Sequence, residues 1–398
     1  SRAQWEESRN GERRSGRCCT IGRMPLIRLE HRCRPASLVL FLCLSLVASS
    51  CDDEAVTIAE PTSADELIFD HYDEYIGAPR VERISEHVWV AISYDSAHVV
   101  LIHTEEGNVI VDTAMNPSRA KDAMQALEAV APKAPVRAII YTHSHLDHCG
   151  GTTAIASNDT PIWAHENFTD HFVKQYQLFT VIEGVRGQRQ FGAHVSVEQV
   201  PSTGIGIRHD WEAPYRTGGL GMMYPTHTFS GSRTLEFGDL EVELLEAPGE
   251  THDHIVVWIP DDKTLIAGDN FYWAFPNLYT LRGTSPRAVS SWFESIDVMR
   301  RKPVEHLVPM HTKPIHGAAE IAEALTNYRD AMQWIRDEVV RGANQGLDLD
   351  TLAETIRLPE HLARHHYNRE FRGKVDWCVR AIYTNNLGWF DGRPDRLF

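Results

Sequence analysis

The sequence predicts an α/β layered fold that ends in a helical segment. Three observations carry this prediction. Short β-rich runs fill residues 87–112 and resume at 234–309, a helix interrupts the first series, and from 316 onward the apolar spacing changes to three and four residues.

Taken in order, residues 52–85 read as an acidic leader and early cap. His87–Ser93, Val99–Thr104 and Asn108–Asp112 follow as consecutive strands, with Glu106 and Gly107 forming a turn. A helix after Pro117 covers Ala120–Val130, and Val136–Thr142 returns as a strand, which makes a βββαβ opening. Between 165 and 230 the periodicity fades among glycines such as Gly184, Gly187 and Gly192. That stretch reads as long loops and irregular cover, where specificity is commonly built. Strands resume at Thr234–Phe237, Leu240–Leu245, Ile255–Ile259 and Thr264–Ala267. Trp292–Met299 reads as a helix and Val304–Pro309 as a final short strand. Ala318–Arg341 then lays Ile321, Leu325, Tyr328, Met332, Ile335 and Val339 along one helical face, and Leu349–Ile356 and Glu360–Phe371 read as further helices.

The 398 residues carry a formal charge of −16 with the 21 histidines neutral. Residues 1–50 hold nine Lys/Arg against four Asp/Glu, so the remainder stands at 30 against 51, or −21. This argues against a basic footprint for nucleic acid and against adhesion to anionic lipid, while a small anionic substrate stays open because a metal or arginine reverses the field locally. The basic Arg28, Arg32 and Arg34, the apolar stretch of 11 residues Leu38–Ala48 and the small Ser49 and Ser50 form a secretory signal too short to span a membrane comfortably. Cys51 directly after it resembles the lipidated cysteine of a bacterial lipoprotein, so an exported, periplasmic or lipid-anchored protein is expected. Simple export is the alternative. Met24 is a candidate start, and only Cys51, Cys149 and Cys378 would remain after processing.

The strongest chemical signal is Thr142–Gly150, which follows a strand directly. It contains His143, His145, Asp147 and His148 in the pattern His-x-His-x-Asp-His. Three imidazoles and a carboxylate within six residues offer two pairs of metal ligands, whereas a structural histidine normally stands alone. Later candidates lie at strand ends: Glu250, Asp269 and His311, with His252 and His254 competing for the role of Glu250. Cys149 has no evident base and reads as packing. The aromatic run Phe271, Tyr272, Trp273 and Phe275 suits either an apolar pocket or core closure.

This arrangement resembles the metallo-β-lactamase superfamily. Glu250, the segment Asn277–Gly283 and the tail segments Asn327–Asp330, Ile356–Pro359 and Arg380–Gly392 resemble its alkylsulfatase, SDS-hydrolase-like branch. The resemblance covers about residues 85–398. It implies an αβ/βα four-layer sandwich followed by a helical dimerisation domain, with boundaries at 1–50 (upstream and signal segment), 51–315 and 316–398. It also implies two zinc ions per subunit. One would be held by His143, His145 and Glu250, the other by Asp147, His148 and His311, with Asp269 bridging and Asp147 orienting the nucleophile. Asn277 and Arg282 would bind a sulfate ester, Arg287 would extend the anion patch, and Phe191 matches a family tyrosine near the sulfate. The implied activity is release of sulfate and an alcohol. The alternatives are another hydrolase of the superfamily (lactonase, β-lactamase or phosphodiesterase) or a non-catalytic metal-binding envelope lipoprotein. Asp269 replaces the family's bridging glutamate, two histidines enter beside Glu250, and no counterpart of the family's sterol-carrier-like third domain is expected. The apolar stripe on Ala318–Arg341 needs a partner surface, and the family places its subunit contact in this region, so a homodimer is expected, with packing onto the chain's own αβ domain as the alternative.

Overall fold

The computed structural model describes residues 64–208, 219–390 and 394–397. The signal-like segment, Cys51 and the leader up to residue 63 lie outside them. Thirteen strands among these residues form two sheets. The first holds β1 (Arg80–Arg83), β2 (Val88–Ile92), β3 (Val99–Thr104), β4 (Gly107–Val111), β5 (Val136–Ile140), β6 (Ile162–His165) and β7 (His227–Phe229), in that spatial order. The second holds β8 (Ser232–Phe237), β9 (Leu240–Glu246), β10 (Ile255–Ile259), β11 (Thr264–Gly268), β12 (His306–Pro309) and β13 (Ile315–His316), again in order.

Alternation along the strands sets the layers. On β2, Val88, Val90 and Ile92 join a core shared with Val257, Ile259 and Val308 of the second sheet, while Trp89 and Ala91 turn toward the helix Pro117–Val130. On β10, Val256 and Trp258 face the other way, into a core with Trp292 and Ile296 of the helix Val289–Arg300. The order is therefore helix, sheet, sheet, helix, as the resemblance implies. Asn116 caps the first of these helices by accepting from the Arg119 amide at 3.1 Å, with Pro117 in its first turn.

The 165–230 region departs from the expectation of irregular cover. It contains β7 and the helices Phe168–Tyr176 and Thr180–Gln190. Gly184 and Gly187 sit inside the second helix, and Val181 and Ile182 point to solvent, so no clean apolar stripe marks it. The leader likewise contains the helix Ala64–His71 and edge strand β1, and the helix expected over Glu360–Phe371 stops at Ala363. A helix at Val375–Leu387 completes the chain's helical end.

The stripe on the helix Ala318–Asn344 has its partner within the chain. Ile321, Leu325, Tyr328, Met332, Ile335 and Val339 are buried in one core with Phe271, Trp292 and Ile296. The inference of a homodimer from that stripe is thereby withdrawn, since its apolar face is already covered.

Several imidazoles are buried in this framework. His98 bonds the Thr312 carbonyl at 2.7 Å, and burial pushes it down to about 3. Burial likewise brings His71 to about 4 and His366 to about 3. In the unfolded chain these rings take a proton near the usual 6.5. As pH falls from 6.5 the unfolded state therefore binds more protons than the folded one, and stability is lost progressively toward pH 3–4. The urea midpoint at about pH 5 should lie clearly below that at pH 7; equal midpoints would contradict the burial of these rings as neutral groups.

Candidate metal centre

The site forms where strand ends from both sheets meet. β5 delivers the loop bearing His143 and His145 and the short helix Leu146–Cys149, Asp112 directly follows β4, Asp269 directly follows β11, and His311 lies just beyond β12. Glu250 lies between β9 and β10, and the Ile255 amide donates to the Thr142 carbonyl at 2.8 Å, tying the two sheets together here. Asp269 follows Gly268, whose φ is +57° and where a Cβ would lie 2.3 Å from His254 Nε2, so only glycine lets this strand end close against the site.

All seven ligand candidates come together. His143, His148 and Asp269 form one potential cation-holding group, Asp147, His148 and His311 a second, and His145, Glu250 and Asp269 a third. Asp269 Oδ1 lies 3.4 Å from His148 Nε2, and its Oδ2 lies 3.3 Å from His311 Nε2 and 3.8 Å from His143 Nε2. Asp147 Oδ2 lies 3.5 Å from His311 Nε2, and His143 Nε2 and His145 Nδ1 are 2.8 Å apart. Asp269 thus stands at the meeting point of the three groups.

A ring of partners orients these ligands, which matters because ligand direction governs metal affinity. Asp112 accepts from His148 Nδ1 at 2.6 Å and from the Thr142 amide and hydroxyl, each at 2.7 Å. His311 Nδ1 bonds the Ser96 carbonyl at 2.8 Å. Arg287 Nη1 lies 2.5 Å from Glu250 Oε1 and also bonds the Asn277 carbonyl.

The residues fit a divalent metal. His148 Nε2, Glu250 Oε2 and Asp269 Oδ1 are buried polar atoms without a hydrogen-bond partner, an arrangement that is costly unless a cation receives them. Burial holds His143 and His145 well below the usual imidazole range, so both are neutral and able to donate lone pairs. Burial opposes protonation of His148, but Asp269, Asp112 and Asp147 outweigh it and raise that ring well above its ordinary value, as a cation-seeking pocket would. Burial also raises Glu250 despite Arg287, a penalty that a bound cation relieves. Among the competitors, His252 is exposed and bonds the Pro286 carbonyl, and His254 Nε2 accepts the Asp269 amide at 2.9 Å. Glu250 is the one of the three that shares a group with His145 and Asp269.

Beside the ligands opens a cavity of about 480 Å³. His145, Asp147, Glu250, Asp269 and His311 lie at its polar end with Arg282, and Leu146, Phe172, Tyr176 and Phe191 contribute its apolar wall. Arg282 is held by Glu183 at 2.9 Å and Thr280 at 2.7 Å, which leaves Nη2 facing His145 Nε2 at 3.2 Å. Its backbone amide donates to Gln190, tying the loop to the helix Thr180–Gln190. Asn277 and Arg287 are buried outside this lining, behind Glu250, and neither Oδ1 nor Nδ2 of Asn277 has a partner. Phe271, Tyr272, Trp273 and Phe275 close the core and do not line the cavity. Cys149 is buried against the His145 carbonyl and its thiol is pushed well up, which suits packing. Asp112, Tyr176, Glu183 and Arg372 were not singled out by the sequence. Asp112 alone carried a signal, as an acid at a strand end.

The family description metallo-beta-lactamase superfamily matches residues 93–311, and alkyl sulfatase dimerisation matches residues 348–398. A linear primary-alkylsulfatase of a Pseudomonas species is 34% identical over 305 residues, which cover 74% of this chain and 56% of that protein. An alkyl/aryl-sulfatase of Saccharomyces cerevisiae is 29% identical over 328 residues, 79% of this chain and 50% of its own length. The chain spans about half the length of these curated relatives. The solved structure of a stereoselective inverting sec-alkylsulfatase from Pseudomonas shares the fold, with a TM-score of 0.76 over 81% of this chain and 52% of that one at 24% identity.

Proposed function

Because the chain belongs to the metallo-β-lactamase superfamily, we propose that it is a dinuclear zinc hydrolase that cleaves alkyl sulfates to sulfate and an alcohol. One observation carries the sulfate reading: a locked guanidinium, Arg282, beside the candidate metal ligands in a cavity to which Leu146, Phe172, Tyr176 and Phe191 give an apolar wall. That combination suits a substrate with an anionic head and a hydrocarbon tail. When bound, the ions supply Lewis acidity and lower the pKa of water toward neutrality. His143, His145 and Glu250 would hold one ion, Asp147, His148 and His311 the other, and Asp269 would join them.

The chain's own groups perform the rest. Glu183 and Thr280 fix the Arg282 fork so that its free donors meet sulfate oxygens without further ordering. Phe172, Tyr176 and Phe191 exclude water from the tail, and Asp147, which lines the cavity, orients the attacking water and accepts its hydrogen bond. Asn277 offers a buried amide without protein partners, and Arg287 steadies Glu250. The match to the dimerisation family supports a homodimer, and the basic, apolar and cysteine-terminated segment ending at Cys51 supports export with lipid anchoring.

The deciding experiment loads the protein with zinc, counts bound metal, and assays sulfate release from alkyl and aryl sulfates beside lactone and β-lactam hydrolysis. Light scattering on the same sample reads the dimer. We expect two metal equivalents, sulfate release from alkyl sulfates, and a loss of about 10- to 100-fold in kcat/KM for Arg282→Ala, the worth of a charge-assisted contact. Lactone opening without sulfate release, or an R282A variant as active as wild type, would remove the reading.

A further inference from the structure

Three arginines approach the ligand cluster, and two already have carboxylate partners. Arg282 pairs with Glu183 and Arg287 with Glu250. Arg372 lines the same cavity as Arg282, Glu250 and Asp269 but makes no ion pair with any carboxylate among the described residues. Its one hydrogen bond is a long contact of 3.4 Å from Nη1 to the Thr203 carbonyl, its Nε is buried without a partner, and its guanidinium stands 5.1 Å above the Phe191 ring.

The backbone leaves this side chain little freedom of placement. The Phe275 amide donates to the Arg369 carbonyl at 2.7 Å, and the Gly373 amide donates to the Phe275 carbonyl at 3.0 Å. A Cβ on Gly373 would sit 2.1 Å from the Pro276 carbonyl oxygen, and one on Gly204 would sit 2.2 Å from that of Phe371. Residues 371–373 are thus pinched between the Gly204 turn and the loop preceding Asn277, with Arg372 directed into the cavity. Burial, with Arg282 nearby, holds this guanidinium below its usual value, a cost that an anion in the cavity relieves.

We propose that Arg372 is a binding residue for the anionic head of the substrate, a second guanidinium acting with Arg282 and supplied by the chain's helical end. The stack on Phe191 orients the fork, so this ring serves as the platform of a cation. This rests on the sulfate-ester reading above, and it gives the cavity a preference for anionic over neutral esters.

The test titrates inorganic sulfate into zinc-loaded wild type, Arg372→Ala and Arg372→Lys by calorimetry, and separately compares KM for a medium-chain alkyl sulfate and for a neutral aryl acetate. R372A should raise the sulfate Kd and the alkyl sulfate KM by about 10- to 100-fold, R372K should fall between, and KM for the neutral ester should not move. Thermal melts check the fold; should R372A fail to fold, Arg372→Gln, which keeps the stem over Phe191, is judged by the same criterion. A folded R372A or R372Q with a sulfate Kd within about twofold of wild type overturns the proposal, as does a wild type that binds no sulfate at millimolar concentration. A wild type that binds sulfate through Arg372 yet releases none from esters would instead overturn the reaction and leave the binding role standing.

Discussion

Asp269→Ala should lose at least one metal equivalent and about 10³-fold or more in kcat. Its two oxygens reach toward His143, His148 and His311 within 3.8 Å, and it shares a third group with His145 and Glu250. No other candidate ligand approaches as many partners, and the neighbouring candidate carboxylates have places of their own, Glu250 Oε1 on Arg287 and Asp147 beside His311. Metal-ion catalysis supplies several kcal/mol of transition-state stabilisation, and each ~1.4 kcal/mol is tenfold in rate. Metal content by mass spectrometry and steady-state kinetics check the result together. Full occupancy with near wild-type turnover would mean that Asp269 joins nothing. Asp269→Glu is the informative companion, since it restores the longer carboxylate that the family resemblance implies.

Asp112→Ala should destabilise the fold by about 3–5 kcal/mol and weaken metal binding by about 10- to 100-fold. Its carboxylate is fully buried and accepts three hydrogen bonds, from the Thr142 amide, the Thr142 hydroxyl and His148 Nδ1. Alanine leaves the Thr142 amide and His148 Nδ1 without an acceptor and frees the His148 ring to rotate, while the Thr142 hydroxyl keeps its contact with His143 Nδ1. Asp112→Asn keeps an oxygen for Thr142 but sets an amide against the imidazole N–H, so it should spare more stability than metal affinity. Urea titration and competition with a chromogenic chelator separate the two effects. A D112A protein with an unchanged urea midpoint would show that this carboxylate does not support the loop.

The candidate metal cluster is legible because its potential ligands are concentrated in His143–His148 and because Glu250, Asp269 and His311 each follow a strand, where a sheet sends its side chains to one end. The choice of Glu250 over His252 and His254 was open in the sequence. In the structure Glu250 alone of the three shares a group with His145 and Asp269, while His254 Nε2 accepts the Asp269 amide and His252 faces outward. The cavity wall was not legible. In the helix Thr180–Gln190, Val181, Ile182 and Val185 are exposed while Thr180, Glu183, Gly184 and Gly187 line the cavity, which erases the periodicity by which a buried face is recognised. Arg372 is marked by nothing local. Its placement depends on backbone contacts with Gly204 and Pro276, both more than 90 residues away in sequence. The stripe from Ile321 to Val339 is legible as apolar while its partner is not, because periodicity records that a face is covered but not by what.

The ligands come from opposite halves of the sandwich: His143, His145, Asp147 and His148 from the first sheet, Glu250, Asp269 and His311 from the second. An ion held among them is therefore a rivet as well as a reagent. It clamps the two sheets at the end where their loops rather than their apolar faces meet, and its binding free energy adds to the folding free energy. Chelation then acts mechanically as well as chemically, because it unfastens the seam at the mouth of the cavity before the apolar interior between the sheets is disturbed.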